Sequence, residues 1–232
     1  MIRPIYLYDD KIGKVEYVEH MGSDLSVVNS ARVSFGKHKK LLEEKDERLI
    51  NYLIKHRHTS TLEHCAVTFR FKVPLYVRSQ HHRHRTWSYN EISRRYTEYN
   101  IEFYNPKQYR TQHKSNRQAS NENEIVTGPM SQPIFGCQIH ESVRRHINLI
   151  TKYYDNLLKA GVCREQARGL LPQTMYTEYY GTANLNNILK FVELRLHEGA
   201  QVEIQKVAKA VLKITKKLYP ITVGAYEKAK KH

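Results

Sequence analysis

From Ser23 to Phe35 the chain reads SDLSVVNSARVSF, a cap-type opening followed by Leu25, Val28 and Ala31 at helical intervals, which predicts a short helix. Asp46 to His56, DERLINYLIKH, sets Leu49, Ile50, Leu53 and Ile54 on one helical face. The period then changes to two. In HCAVTFRFKVP, Cys65, Val67, Phe69, Phe71 and Val73 alternate with Ala66, Thr68, Arg70 and Lys72, the pattern of a strand with one buried face. Pro74 ends that strand and suits the first position of a helix running toward Gln80 and the histidines after it. TEYNIEFYNP reads as a further extended segment, and residues 108–132, polar and without period, read as a long surface loop. Val143, Ile147, Ile150, Tyr154 and Leu157 mark a long helix with Gly161 as its stop, and CREQARGLLP a short helix ended by Pro172. Leu185, Ile188, Leu189 and Val192 define another, and Val202, Val207, Val211, Ile214 and Leu218 a last long one. With no repeat and no second linker, the expectation is a single α+β domain over residues 1–232, rich in helix with one antiparallel sheet.

Composition adds a strong charge. Thirty-eight Lys and Arg against 23 Asp and Glu leave a formal net charge of +15, so anionic partners are expected: nucleic acid, an anionic membrane or phosphorylated small molecules. No apolar run approaches the roughly 20 residues of a membrane span, and MIRPIYLYDD lacks the apolar stretch of a secretion signal, which points to a soluble, cytoplasmic protein without membrane partners. Cys65, Cys137 and Cys163 are odd in number and widely spaced, a poor set for disulfides or a zinc site.

The charge is densest in RHRTWSYNEISRR, Arg83 to Arg95, where four arginines sit among Ser88, Asn90, Glu91 and Ser93. A solvated loop would need neither those polar groups nor Trp87. Arginines ordered by such neighbours suit phosphate, which their planar forks bind bidentately. Two sites would use them: a nucleic-acid surface, with Trp87, Tyr89 and Tyr96 stacking on bases, or a nucleotide pocket folded inward. His81, His82 and His84 lie among cations that repel a metal ion, with no carboxylate or cysteine at ligand spacing, so no metal is expected. Cys163 has Arg164 beside it to favour a thiolate but no nearby histidine as base, and the inert reading is preferred. Arg168 and Arg195 sit on helical segments and matter if they converge on the same pocket.

RHRTWSYNEISRR matches the pattern R-H-R-x-x-S-x-N-E-x-S-x-R at every fixed position, and in this it resembles the flavin-dependent thymidylate synthases. The likeness extends through MGSDLSVVNSARVSF, YLIKHRHTSTLEH, FRFKVP, REQARGLLP and LRLHEGAQVEIQ, while residues 108–132 look like an insertion. The resemblance implies a flavoprotein methyltransferase that makes thymidylate (dTMP) from deoxyuridylate (dUMP), with a one-carbon unit from 5,10-methylenetetrahydrofolate and reducing equivalents from NADPH through bound FAD. It implies that Arg83, His84 and Arg85 border the flavin, with Ser60, Glu91, Asn184 and Asn186 adding contacts. It also implies a deoxyuridylate site of Gln80, Arg83, Glu91, Ser93, Arg95, Arg168 and Arg195, Arg195 being catalytic. Asn186 and Lys190 depart from the arginine and asparagine of the family pattern. The family assembles as homotetramers with sites between subunits. The reading from another class is a basic nucleic-acid-binding module without catalysis, and a third is a catalytically dead nucleotide-binding paralogue.

Overall fold

The computed structural model describes residues 2–126 and 138–230. In chain order its elements are β1 (Ile5–Tyr6), β2 (Lys14–Met21), α1 (Asp24–Arg32), α2 (Glu44–Lys55), β3 (Ala66–Pro74), α3 (Leu75–His81), β4 (Ser88–Glu91), β5 (Arg110–Gln112) and β6 (Ser120–Ile125). They continue with α4 (Ile139–Lys159), α5 (Arg164–Ala167), β7 (Tyr176–Asn184), α6 (Leu185–Arg195), α7 (Val202–Leu218) and α8 (Pro220–Ala229). The architecture is α+β and helix-rich, as expected, around a five-stranded antiparallel sheet in the order β1-β2-β3-β7-β4.

The alternation in β3 decides how the sheet is covered. Val67, Phe69, Phe71 and Val73 are all 0% exposed and face the helices, with Tyr179, Gly181 and Ala183 of β7 opposite them in register. The other face is polar: Arg70 and Lys72 pair with Glu178. Helices on one side only follow from that one-sided pattern. Val27 and Val28 of α1, Ile50 of α2, Phe191 of α6 and Val211 of α7 complete the core. The long helix α4 contributes little to it, packing through Tyr154 against Ala167, Leu171 and Met175 in a smaller cluster.

Several expectations are corrected. Residues 108–126 are not a featureless loop but carry the β5–β6 hairpin, paired at Thr111 to Asn121 and Gln112 to Ser120, whereas residues 127–132 lie outside the described ones. TEYNIEFYNP, read as extended, pairs antiparallel with the start of β7 through one isolated bridge, Phe103 to Met175. The last long helix ends at Leu218, where its apolar period ends, but a further helix that was not expected follows at Pro220, with Asp24 of α1 accepting from the backbone N–H groups of Ile221 and Thr222 at the start of α8. A buried carboxylate there satisfies otherwise orphaned donors of the helix terminus.

Candidate active site

β3 passes into α3 at Pro74 and β7 into α6 at Asn184, and because the two strands are antiparallel the helices start from opposite ends of one strand pair. The paired strands span about 27 Å at roughly 3.4 Å per residue, and α3 and α6 fold back over them for about 10 Å and about 16 Å at 1.5 Å per residue. Their C-terminal ends therefore meet over the middle of the sheet. The His81 ring lies 4.8 Å from that of Phe71 beneath it and 4.5 Å from that of Phe191 on α6.

Arg195, the last residue of α6, closes this junction. Its Nε donates to His84 Nε2 at 3.0 Å and its Nη2 to the Gln80 carbonyl at 2.9 Å. A guanidinium only donates, so Nε2 of His84 accepts and its proton is on Nδ1. Burial, then the Arg195 charge, pulls His84 down to about 4 and keeps it neutral. Burial also lowers Arg195 below the usual guanidinium range. Arginine carries five N–H donors. Those Arg195 does not use on His84 and Gln80 have no acceptor among the described residues.

The turn after α3 is anchored by aromatic side chains. Trp87 is buried on the helix-covered face of the sheet, and the Tyr89 hydroxyl donates to the carbonyls of His81 at 2.9 Å and His84 at 3.2 Å. Gly181 makes room beneath: a Cβ there would stand 2.8 Å from Phe71 Cε2 and 3.4 Å from Trp87 Cε3. Between the anchors, Arg83 and Arg85 are exposed and have no side-chain partner among the described residues.

β4 carries the rest of the motif. Glu91 Oε1 accepts from Arg78 Nε at 3.0 Å and from the Thr177 hydroxyl at 2.6 Å, so it is fixed by residues outside the motif and does not order the cluster's arginines as the sequence suggested. The buried arginine is Arg94, which donates to the Tyr99 carbonyl at 2.6 Å. Ser93 Oγ accepts from the Arg95 backbone, and Arg95 pairs with Glu165 at 3.2 Å, tying α5 to the motif one turn before the exposed Arg168.

Ser60, Asn184 and Asn186 lie at the other end of α6. Ser60 is exposed in the turn Thr59–Leu62, and Asn184 caps α6 by accepting from the Asn187 backbone at 2.9 Å. Asn186 is buried with Nδ2 on Glu63 Oε1 at 3.1 Å. A cleft of about 320 Å³ opens beside Asn186 and Lys190, with Leu62, Leu189 and Tyr226 next to Arg57 and Lys190. Ser60, Asn184 and Arg195 are not on its walls, so the structure does not gather all the expected flavin residues in one place. A flavin dinucleotide needs cations for its phosphates and mixed walls for its rings. The exposed Arg83 and Arg85, unpartnered among the described residues, and this cleft fit such a group.

Arg78 and Thr177, which hold Glu91, and Gln201 and Glu203, which lead to Gln80, were not singled out from the sequence. Gln201 and Glu203 stand in the LRLHEGAQVEIQ stretch, whereas Thr177 has no local signal because it meets Glu91 only through the pairing of β4 with β7. Among the described residues no three metal-ligating side chains form a group, and no helix is long and apolar enough to cross a membrane. Cys65 is buried and pushed up to about 11 by that burial, Cys163 is exposed, and Cys137 lies outside the described residues.

The family model described as thymidylate synthase complementing protein matches residues 16–221. A flavin-dependent thymidylate synthase of Thermus thermophilus is 39% identical over 221 residues, covering 93% of this chain and 76% of that one. That of Thermotoga neapolitana is 40% identical over 216 residues, covering 93% and 91%. Among solved structures, the UMP/dUMP methylase PolB from Streptomyces cacaoi bound with 5-Br dUMP superposes with a TM-score of 0.79 at 32% identity, covering 92% of this chain and 94% of that one.

Proposed function

We propose that this chain, which belongs to the flavin-dependent thymidylate synthase family, methylates deoxyuridylate with FAD as its flavin, 5,10-methylenetetrahydrofolate as one-carbon donor and NADPH as reductant. The observation that carries the reading is the junction of Arg195, His84 and the Gln80 carbonyl, which holds a permanent cation with spare donors over the sheet. When bound, the reduced flavin supplies the hydride. Arg195 places its remaining N–H groups against the pyrimidine and stabilises negative charge that develops on the ring nitrogen and carbonyl oxygen. Neutral His84 adds no second charge and keeps the guanidinium in plane. Gln80, Glu91, Ser93, Arg95 and Arg168 bind the rest of deoxyuridylate, with Arg83 between the nucleotide and the flavin. Arg85, with Ser60, Asn184 and Asn186, holds the flavin; phosphate binding suits the exposed arginine forks.

The active form is a cytoplasmic homotetramer whose sites lie between subunits. The exposed, unpartnered Arg83, Arg85 and Arg168 support this, as does α4, which leaves Leu149 46% and Tyr153 56% exposed. Membership of an enzyme family replaces the reading as a nucleic-acid module. The test is to purify the protein, record its visible spectrum and measure tritium release from [5-³H]deoxyuridylate. A yellow protein that releases FAD on denaturation and tritium on turnover is expected. Colourless protein that takes up no added FAD overturns the proposal.

A further inference from the structure

Arg110 stands on β5, in the hairpin that looked like an insertion. Its Nε donates to Ser120 Oγ on β6 at 2.9 Å, and its Nη2 to Glu203 Oε1 at 2.8 Å. Glu203 begins α7 and is 4% exposed. Its other oxygen accepts from Gln201 Nε2 at 2.9 Å, and Gln201 Oε1 in turn accepts from Gln80 Nε2. One line of side chains therefore runs from the hairpin to the residue whose backbone carbonyl holds Arg195.

The polarity of that line follows from its charged end. A carboxylate only accepts, so the NH₂ of Gln201 faces Glu203, its carbonyl faces Gln80, and the NH₂ of Gln80 is used on Gln201. What remains is Gln80 Oε1, an acceptor without a donor among the described residues. We infer that Arg110 is a positioning residue: by pairing with Glu203 it fixes Gln80 with its amide oxygen left for a hydrogen-bond donor on the bound deoxynucleotide, the ring N3–H or the 3′-hydroxyl. This rests on the placement of Gln80 in the deoxyuridylate site proposed above.

The experiment titrates flavin-loaded protein calorimetrically with deoxyuridylate, its N3-methyl derivative and 2′,3′-dideoxyuridylate. Arg110→Ala is expected to weaken deoxyuridylate binding about tenfold, the scale of one charge-assisted contact, while flavin content is kept. Gln80→Ala weakens it at least as much, and the double variant binds no worse than Gln80→Ala, because both act through one amide. Arg110→Lys keeps the charge against Glu203 but not the fork that also holds Ser120, and falls between wild type and Arg110→Ala. Wild type loses affinity for one of the two analogues, which identifies the donor, and Arg110→Ala does not show that loss. Glu203→Gln keeps the side-chain shape but frees the amide polarity, and gives the same pattern should Arg110→Ala fail to fold. Wild-type affinity in Arg110→Ala beside a weakened Gln80→Ala, or losses that add in the double variant, overturns the relay. Wild-type affinity in Gln80→Ala overturns it together with the placement of Gln80. A wild-type protein that binds no deoxyuridylate instead overturns the proposed function and the relay with it.

Discussion

Arg195 at the end of α6 donates through Nε to Nε2 of His84, three residues beyond the end of α3, at 3.0 Å. The bond joins two helices that leave the sheet at opposite ends, and it fixes charge as well as geometry, since the imidazole that accepts it is neutral. Arg195 is then the fixed cation of the junction.

Arg195→Lys is expected to keep its flavin and lose roughly a hundredfold to a thousandfold in turnover, the ~2.7–4 kcal/mol of one transition-state donor. A flexible ammonium cannot hold both His84 and the Gln80 carbonyl with donors to spare. Steady-state tritium release, normalised to bound flavin, measures this, and near-normal turnover removes Arg195 from the catalytic role.

Acidification should destabilise the fold before its carboxylates are affected. Burial lowers His81, His82 and His84 below the ordinary imidazole range, His84 to about 4. The unfolded chain binds protons below about pH 6.5 that these folded imidazoles refuse, so stability is lost as pH falls from about 6.5 toward 4. Asp46, which burial would raise but Lys39 and Arg32 hold near 2, costs stability only below that window. Between pH 7.5 and 5 the fall in melting temperature should be smaller in His84→Gln than in wild type; equal falls would discharge His84 from this role.

Gly181→Ala places a methyl 2.8 Å from Phe71 Cε2. Overpacking of this kind costs about 1–3 kcal/mol, and about 2–4 °C of melting temperature accompanies each kcal/mol in a chain of this size. Trp87 is the chain's single tryptophan and lies against the same spot, so its emission reports the displacement directly. Unchanged emission and melting would mean that Phe71 yields freely.

Replacing Cys65, Cys137 and Cys163 together by alanine should leave measurable turnover. Cys65 is buried and disfavoured as a thiolate, and Arg164 beside Cys163 is engaged with Glu98. Loss of activity in a variant that folds and binds flavin would contradict the thiol-independent route.

Arg85→Ala and Arg195→Ala, each nearly inactive alone, should regain activity when unfolded, mixed and reassembled. If the two residues reach one site from different chains, equal random mixing restores about a quarter of sites. Verified mixed tetramers without recovery would put both residues on the same chain.

The helix-covered face of β3 was legible because strict alternation is a strong local signal, and every residue of its inward set is fully buried. The arginine motif was legible because its spacing is a pattern in itself. The other strands of the sheet were not. In β7 the inward residues are Tyr179, Gly181 and Ala183, and outward Tyr180 is as aromatic as its inward neighbour, so no apolar alternation marks it. Nor was α8 legible, since PITVGAYEKA follows a proline and spreads its apolar residues around the helix without a marked face. Glu91 illustrates the limit for the site. Its partners Arg78 and Thr177 are 13 and 86 residues away, and only the fold brings them together.

Since neither β3 nor β7 is separated from its helix by a loop, the pairing of these two strands acts as a ruler for the chemistry. A slip that preserves which face is buried must move two residues, about 7 Å, and it would carry the ends of α3 and α6 past each other. Substitutions in the middle of the sheet that touch no ligand can therefore alter rate by changing how far apart the Gln80 carbonyl and the Arg195 guanidinium stand. Such variants would show as catalytic defects in a protein whose binding residues are all intact.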